Sequence, residues 1–278
     1  MMQPPVEDSG SSPWKPRLLF VASAATAALV LRLAWEEPLA GVAALAVIVT
    51  VVISRWVSRQ RVRRLLRSGD IESILQRWSE SFSEAPHPET MQPLMKATAF
   101  AAYGWVERAR DLLQTAARGP AWDAALEHRL FLDALLLTFE GDSEGALDRA
   151  RALQRLPLPM ATPFLIRRVT VLRSAVAALA RAFSHQSEQG DRQLLLQASD
   201  ASPLVHWAMR YGAAVLSVDA GELHRARALV VDAPAWPGES CFSGFHQEIT
   251  REVDRREHGV DPVQDAVDDA VEDADDPL

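Results

Sequence analysis

Apolar residues follow two patterns along this chain. From residue 18 to 54 they are almost unbroken, and beyond residue 69 they recur every three or four positions. Residues 18–35, LLFVASAATAALVLRLAW, carry one charge, Arg32. Residues 38–54, PLAGVAALAVIVTVVIS, carry none. As helices these runs measure roughly 27 and 26 Å, the short end of what crosses the ~30 Å hydrocarbon core of a bilayer. Only Glu36 and Glu37 separate them, and Pro38 opens the second. The pattern predicts a two-helix transmembrane hairpin with both ends on one side. A cleaved signal peptide would need small residues closing a short apolar run. Here Leu-Arg-Leu-Ala-Trp-Glu-Glu follows, and a second apolar run comes at once. A buried helical hairpin inside a soluble protein remains open.

The flanks orient the hairpin. Lys15 and Arg17 precede it, Arg55, Arg59, Arg61, Arg63, Arg64 and Arg67 follow it, and the turn holds two glutamates. The excess of positive charge on cytoplasmic flanks then predicts an inner (cytoplasmic) membrane protein with two spans and both termini cytoplasmic. Trp14 and Trp56 fall at the inner boundary and Trp35 at the outer one, with Arg55, Arg59 and Arg63 on one face of the continuing helix.

From residue 69 to 257 the three-and-four spacing predicts helix after helix. The expected segments are 70–83, 89–102, 105–117, 122–139, 143–155, 162–184, 190–199, 203–218, 222–231 and 242–257. They are punctuated by glycines at 104, 141, 190 and 221 and by prolines such as Pro120, Pro157, Pro163, Pro203 and Pro237. No alternating β-branched run predicts a strand, so the fold class expected is all-α.

The turn glycines expose a repeat. Seven residues before Gly104, Gly141 and Gly221 stand Ala97, Ala134 and Ala214; five after stand Ala109, Ala146 and Ala226. Small residues at two such places let paired helices cross closely. With its best stretch at 99–116, AFAAYGWVERARDLLQTA, this resembles the tetratricopeptide repeat. The early aromatic and leucine of that family are replaced by Pro93 and Lys96, by Leu130 and Asp133, and by Arg210 and Ala213. The glycine spacings of 37 and 80 residues are not multiples of 34. An irregular helical bundle is the competing reading. The resemblance implies an α-solenoid of helix pairs whose first helices line a partner groove. By position, that lining is Leu94, Thr98, Ala101, His128, Phe131, Leu135, Thr138, Tyr211, Val215 and Val218. It is apolar enough to favour a helical or extended apolar segment of a protein partner.

Charge adds two features. Lys+Arg is 29 and Asp+Glu is 37, yet eight of those acids lie in residues 259–278, which hold no base. The rest of the chain is neutral, which excludes a generally basic nucleic-acid binder, and the tail is expected to be disordered. Arg149, Arg151, Arg155, Arg167, Arg168, Arg173 and Arg181 fall in a stretch, 149–187, without an acid. They predict a basic surface facing membrane lipid, an acidic partner or the tail, unless neighbouring acids neutralise it.

Catalytic and metal chemistry is not apparent. Phosphate-loop, dinucleotide, zinc-protease and nucleophile-elbow motifs are missing. The single cysteine, Cys241, excludes an intramolecular disulfide and any multi-cysteine metal site; its pairing with His246 as nucleophile and base rests on sequence proximity alone. No cofactor, metal or enzymatic activity is expected. The organisation predicted is an N-terminal tail (1–16), hairpin (17–54), basic juxtamembrane helix (55–68), helical-repeat domain (69–257) and acidic tail (258–278). Its function would be a membrane-anchored scaffold or adaptor recruiting protein partners. The alternatives are an accessory subunit packing through its hairpin into a membrane complex, and an enzyme without a recognisable motif.

Overall fold

The computed structural model describes residues 38–83 and 86–258, and the described side chains of the first helix begin at Val42. Among these residues the elements are helical and no strand occurs. The chain divides into two compact units, residues 1–62 and 63–278.

In the first unit the described element is the greater part of α1 (Pro38–Arg67), which continues without a break into the second unit. Its apolar half has no polar face: Val42, Leu45, Val47, Ile48, Val49, Val51, Val52, Ile53 and Trp56 are all exposed. The hydroxyl of Thr50 donates to Ala46 O at 2.7 Å, within the helix itself. Among the described residues no helix is long and apolar enough to cross a membrane. From Val42 to Ile53 the apolar stretch measures only roughly 18 Å at 1.5 Å per residue. The first expected span, 18–35, lies outside the described residues, as does the acidic tail from residue 259.

The second unit is built from helix pairs. After α2 (Ile71–Ser83) come α3 (Pro88–Ala102) and α4 (Val106–Thr115). Next are a short α5 (Pro120–Ala124), α6 (Leu126–Glu140) and α7 (Ser143–Arg155). Then follow α8 (Pro163–Phe183), α9 (Asp191–Ala201), a 3₁₀ turn (Pro203–Val205), α10 (His206–Asp219), α11 (Leu223–Val230) and α12 (Cys241–His258). Each of α3/α4, α6/α7, α8/α9 and α10/α11 is an antiparallel pair in contact, and the first helices also pack in series, α3 on α6, α6 on α8 and α8 on α10. The six alanines aligned on the turn glycines, Ala97, Ala109, Ala134, Ala146, Ala214 and Ala226, are all fully buried. A larger side chain there would push the paired helices apart.

The helix expected at 122–139 is two elements. Ala125, at φ −82° and ψ 19°, interrupts it. The break belongs to the turn that carries Trp122 into the core beside Leu94, Ala97 and Leu136. The helix expected from 203 starts instead with a 3₁₀ turn, Pro203–Val205, that leads into α10.

The ends of this unit are tied together. The last carbonyls of a helix lack intrahelical partners, and side chains distant in sequence supply them at the end of α1. Tyr103 donates its hydroxyl to Leu66 O at 2.5 Å, and Trp207 donates Nε1–H to Arg67 O at 2.8 Å. The connector before α12 lies on two turn glycines. A Cβ at Gly69 would come within 2.8 Å of Pro234, and one at Gly104 within 2.9 Å of Phe242. Cys241 N–H donates to Gly104 O and Ser240 Oγ to Tyr103 O. From there an aromatic seam runs through Trp236, Tyr211, Phe242, Phe139, Phe245 and Phe183, with neighbouring ring centroids 4.8–6.4 Å apart. The C-terminal helix is thereby pinned to three first helices of the pairs.

Candidate functional site

A cavity of about 720 Å³ lies between α3, α5, α6, α8 and residues 202–205. Its walls are mainly apolar: Met91 from α3, Phe131 from α6, Leu153 from α7, Val169 and Leu172 from α8, and Leu204. These helices present them because each is amphipathic and turns one face to its pair.

Among the polar side chains in this wall, His128 with Thr98 and Arg173 with Glu127 form two hydrogen-bonded pairs, and His87 and Ser202 also border it. His128 Nε2 lies 2.7 Å from Thr98 Oγ1. The Thr98 hydroxyl donates to Leu94 O at 2.9 Å, so the imidazole is the donor in the shared bond. A threonine whose proton is held by a helix carbonyl, facing a histidine that donates, is not a nucleophile with its base. Burial lowers the His128 pKa, the nearby Glu127 charge opposing it, which favours the neutral ring. Arg173 is buried to 4% exposure. Its Nε donates to Glu127 Oε1 at 3.0 Å, Nη1 to Leu156 O at 2.7 Å and Nη2 to Pro157 O at 3.2 Å. The guanidinium therefore ties the end of α7 to the start of α6. Among the described residues no buried side-chain polar atom lacks a hydrogen-bond partner, and no cluster of metal-ligating residues occurs. What this cavity offers a ligand is apolar surface with a histidine and an arginine at its edge.

The ten residues expected to line a groove fall in four places. Thr98, His128 and Phe131 line the cavity. Leu94, Ala101, Leu135 and Thr138 are buried within the helix pairs. Tyr211 is buried in the aromatic seam, its hydroxyl accepting from Trp236 Nε1 at 2.6 Å. Val215 and Val218 border a smaller hollow of about 430 Å³ with Phe245 and Ile249 of α12, so the chain's own last helix lies over that part of α10. The walls supplied by α8 and Leu204 are not among those ten: in the α8/α9 pair the glycine, Gly190, caps the start of α9 at φ 95° and does not follow the first helix. The left-handed residue that follows α8 is His185, at φ 54°, with Nδ1 2.9 Å from Asp219 Oδ2.

The seven arginines of 149–187 are likewise divided. Arg173 serves the cavity wall. Arg181 holds the buried Asp191 through bonds of 2.8 and 2.5 Å. Burial pushes that carboxyl up, and the Arg181 hydrogen bond, the Glu188 amide and the Arg181 charge together outweigh it, leaving the pKa lowered. Arg151 pairs with Asp148, and Arg168 donates to Ala201 O. Arg149, Arg155 and Arg167 are exposed. At the expected membrane boundary Arg55, Trp56 and Arg63 are exposed; Trp14, Trp35 and the side chain of Arg59 lie outside the described residues.

Cys241 and His246 do not form a reactive pair. Burial pushes the thiol pKa up to about 12, and His246 Nδ1 lies 3.2 Å from the Tyr211 hydroxyl. No family model matches the chain, and neither a curated protein nor a solved structure matches it.

Proposed function

We propose that this protein is a membrane-anchored helical-repeat adaptor, held by an N-terminal hairpin with both chain ends on the cytoplasmic face of the inner membrane. The domain would receive an apolar segment of a protein partner in the cavity between α3, α6 and α8. The observation that carries the anchor is the apolar half of α1, exposed on every side and followed directly by Arg55, Arg61, Arg63, Arg64 and Arg67. A helix apolar all round requires burial in protein or in lipid, and the arginines mark its cytoplasmic end.

The helix pairs are read as tetratricopeptide-like units stacked into a solenoid. In favour stand the six buried alanines at matched positions and the serial packing of first helices. An apolar occupant is supported by the cavity wall, whose arginine and histidine already have partners. An acidic terminus would need free donors there.

A photo-crosslinking amino acid at Met91, in the cavity wall, tests the partner site, with the same group at exposed Ala228 as control. Irradiated membranes should give a discrete protein adduct at position 91 and none at 228. No adduct at 91, or equal adducts at both, would contradict the partner site.

A further inference from the structure

We propose that the α7–α8 loop and the first turn of α8, residues 156–168, form a second, peripheral contact with an anionic lipid surface. The inference rests on the anchored reading, which would keep the domain beside a bilayer. Soluble domains rarely gather large apolar side chains at one exposed place without a use for them. Here Leu158, Met160, Phe164 and Leu165 lie within eight residues and are exposed, Met160 completely and Phe164 to 71%. Arginines frame them: Arg155 ends α7, Arg167 and Arg168 follow Phe164, and the Arg168 guanidinium stands 5.8 Å from the Phe164 ring centroid.

The charge is uncompensated where it counts. No acid occurs between residues 149 and 187, and Arg149, Arg155 and Arg167 make no ion pair among the described residues. The loop is also stiff. Pro157, Pro159 and Pro163 limit its conformations, so docking orders little that is not already ordered. An apolar tip ringed by guanidinium groups matches a bilayer surface in both respects: side chains enter the acyl boundary while the charges meet phosphate. Each arginine near an anionic surface is worth about fivefold in the partition equilibrium. The same stretch is ill suited to the chain's own acidic tail, which offers carboxylates but no apolar phase for Met160 and Phe164.

The full-length protein in lipid nanodiscs tests this. An environment-sensitive fluorophore is placed on Met160→Cys, with Gln189→Cys on the exposed α8–α9 turn as control. The native Cys241, which is only half-buried, is first replaced by serine. In discs of phosphatidylcholine with phosphatidylglycerol, position 160 should shift to the blue and be quenched by spin-labelled acyl chains, while 189 is unaffected. Arg155→Gln with Arg167→Gln should weaken the loop–lipid equilibrium by about 25-fold at low salt, and phosphatidylcholine alone should abolish most of the shift. A label at 160 that stays as water-exposed as that at 189 in anionic discs overturns the proposal, the loop then being a protein-facing surface. Retention of the protein on the discs after an alkaline wash reports the anchor separately. If the anchor fails, the same labels are read on added vesicles of the same composition.

Discussion

Helix α10 and the first half of α1 are both strongly apolar, and they meet opposite fates. Eleven of the fourteen residues of α10 are buried, against α8, α9, α11 and α12. Gly212 even lets Leu179 approach to where a Cβ would be 2.6 Å away. The large apolar side chains described between Val42 and Ile53 of α1 stand exposed. Burying one such side chain stabilises by roughly 1.5–3 kcal/mol. Among the described residues, eight of them on α1 find no covering face. Composition therefore does not separate a covered apolar helix from an uncovered one. What separates them is whether the described chain provides a complementary face, and the run of arginines that ends the apolar stretch in α1 has no counterpart in α10.

The largest expected effect puts this contrast to the test directly. Leu216→Ala in α10 should lower the unfolding free energy of the domain by about 2–5 kcal/mol, through lost burial and a residual cavity. Leu45→Ala in α1, the same chemical change, should leave it within about 0.5 kcal/mol. Chemical denaturation of the full chain in detergent, followed by tryptophan fluorescence, to which the buried Trp105, Trp122 and Trp207 contribute, reads both. Equal losses would mean that the apolar half of α1 belongs to the domain core.

The same distinction between used and spare side chains applies to arginine. Arg173→Met should cost about 2–3 kcal/mol, because Leu156 O and Pro157 O lose their donors, while the half-exposed Glu127 regains water. Arg151→Ala removes only an exposed pair with Asp148 and should cost under about 0.5 kcal/mol. A third comparison sharpens the account of the pairs. Ala109→Leu should overpack the α3/α4 crossing by about 1–3 kcal/mol, and Ala117→Leu, half-buried beyond the helix end, should cost less. Equal thermal shifts would make the glycine–alanine spacing incidental.

The smallest effect is on pH dependence. Burial lowers the pKa of both His128 and His206 below their ordinary 6.5, although the Ser199 carbonyl opposes it at His206. A histidine kept neutral in the folded state binds fewer protons than in the unfolded chain. Its effect is therefore absent well above pH 6.5, and stability declines as pH falls below that value until the folded-state pKa is passed. Thermal midpoints should be flat above neutrality and drop on acidification. His128→Gln, which retains a donor for Thr98, should reduce that drop. An unchanged slope would contradict the buried-neutral assignment.

Much of the helical order was legible because its causes are local. Glycine and proline end helices for reasons of φ and missing donors, so α3, α7, α8 and α12 begin and end within a residue or so of where the pattern put them. The burial of the six alanines was legible for the same reason, through their fixed distance from Gly104, Gly141 and Gly221. The α8/α9 pair escaped that alignment because His185 takes the left-handed turn position, although Ala178, seven residues earlier, is as buried as its counterparts. The cavity was legible only in part. Thr98, His128 and Phe131 follow from helix phase, whereas Leu172 and Leu204 enter through tertiary packing that no local spacing encodes. Nor does spacing reveal that α12 folds back over Val215 and Val218, or that Arg173 is consumed by two carbonyls and a carboxylate.

The central claim is that the apolar half of α1 resides in lipid, and alkaline extraction tests it most directly. Membranes from cells making the full-length chain are washed in carbonate at high pH, which strips proteins held by charge or by other proteins, and then floated on a density gradient. The account predicts that the chain rises with the lipid and is released only by detergent. A chain left in the carbonate supernatant, folded and soluble without detergent, would contradict it.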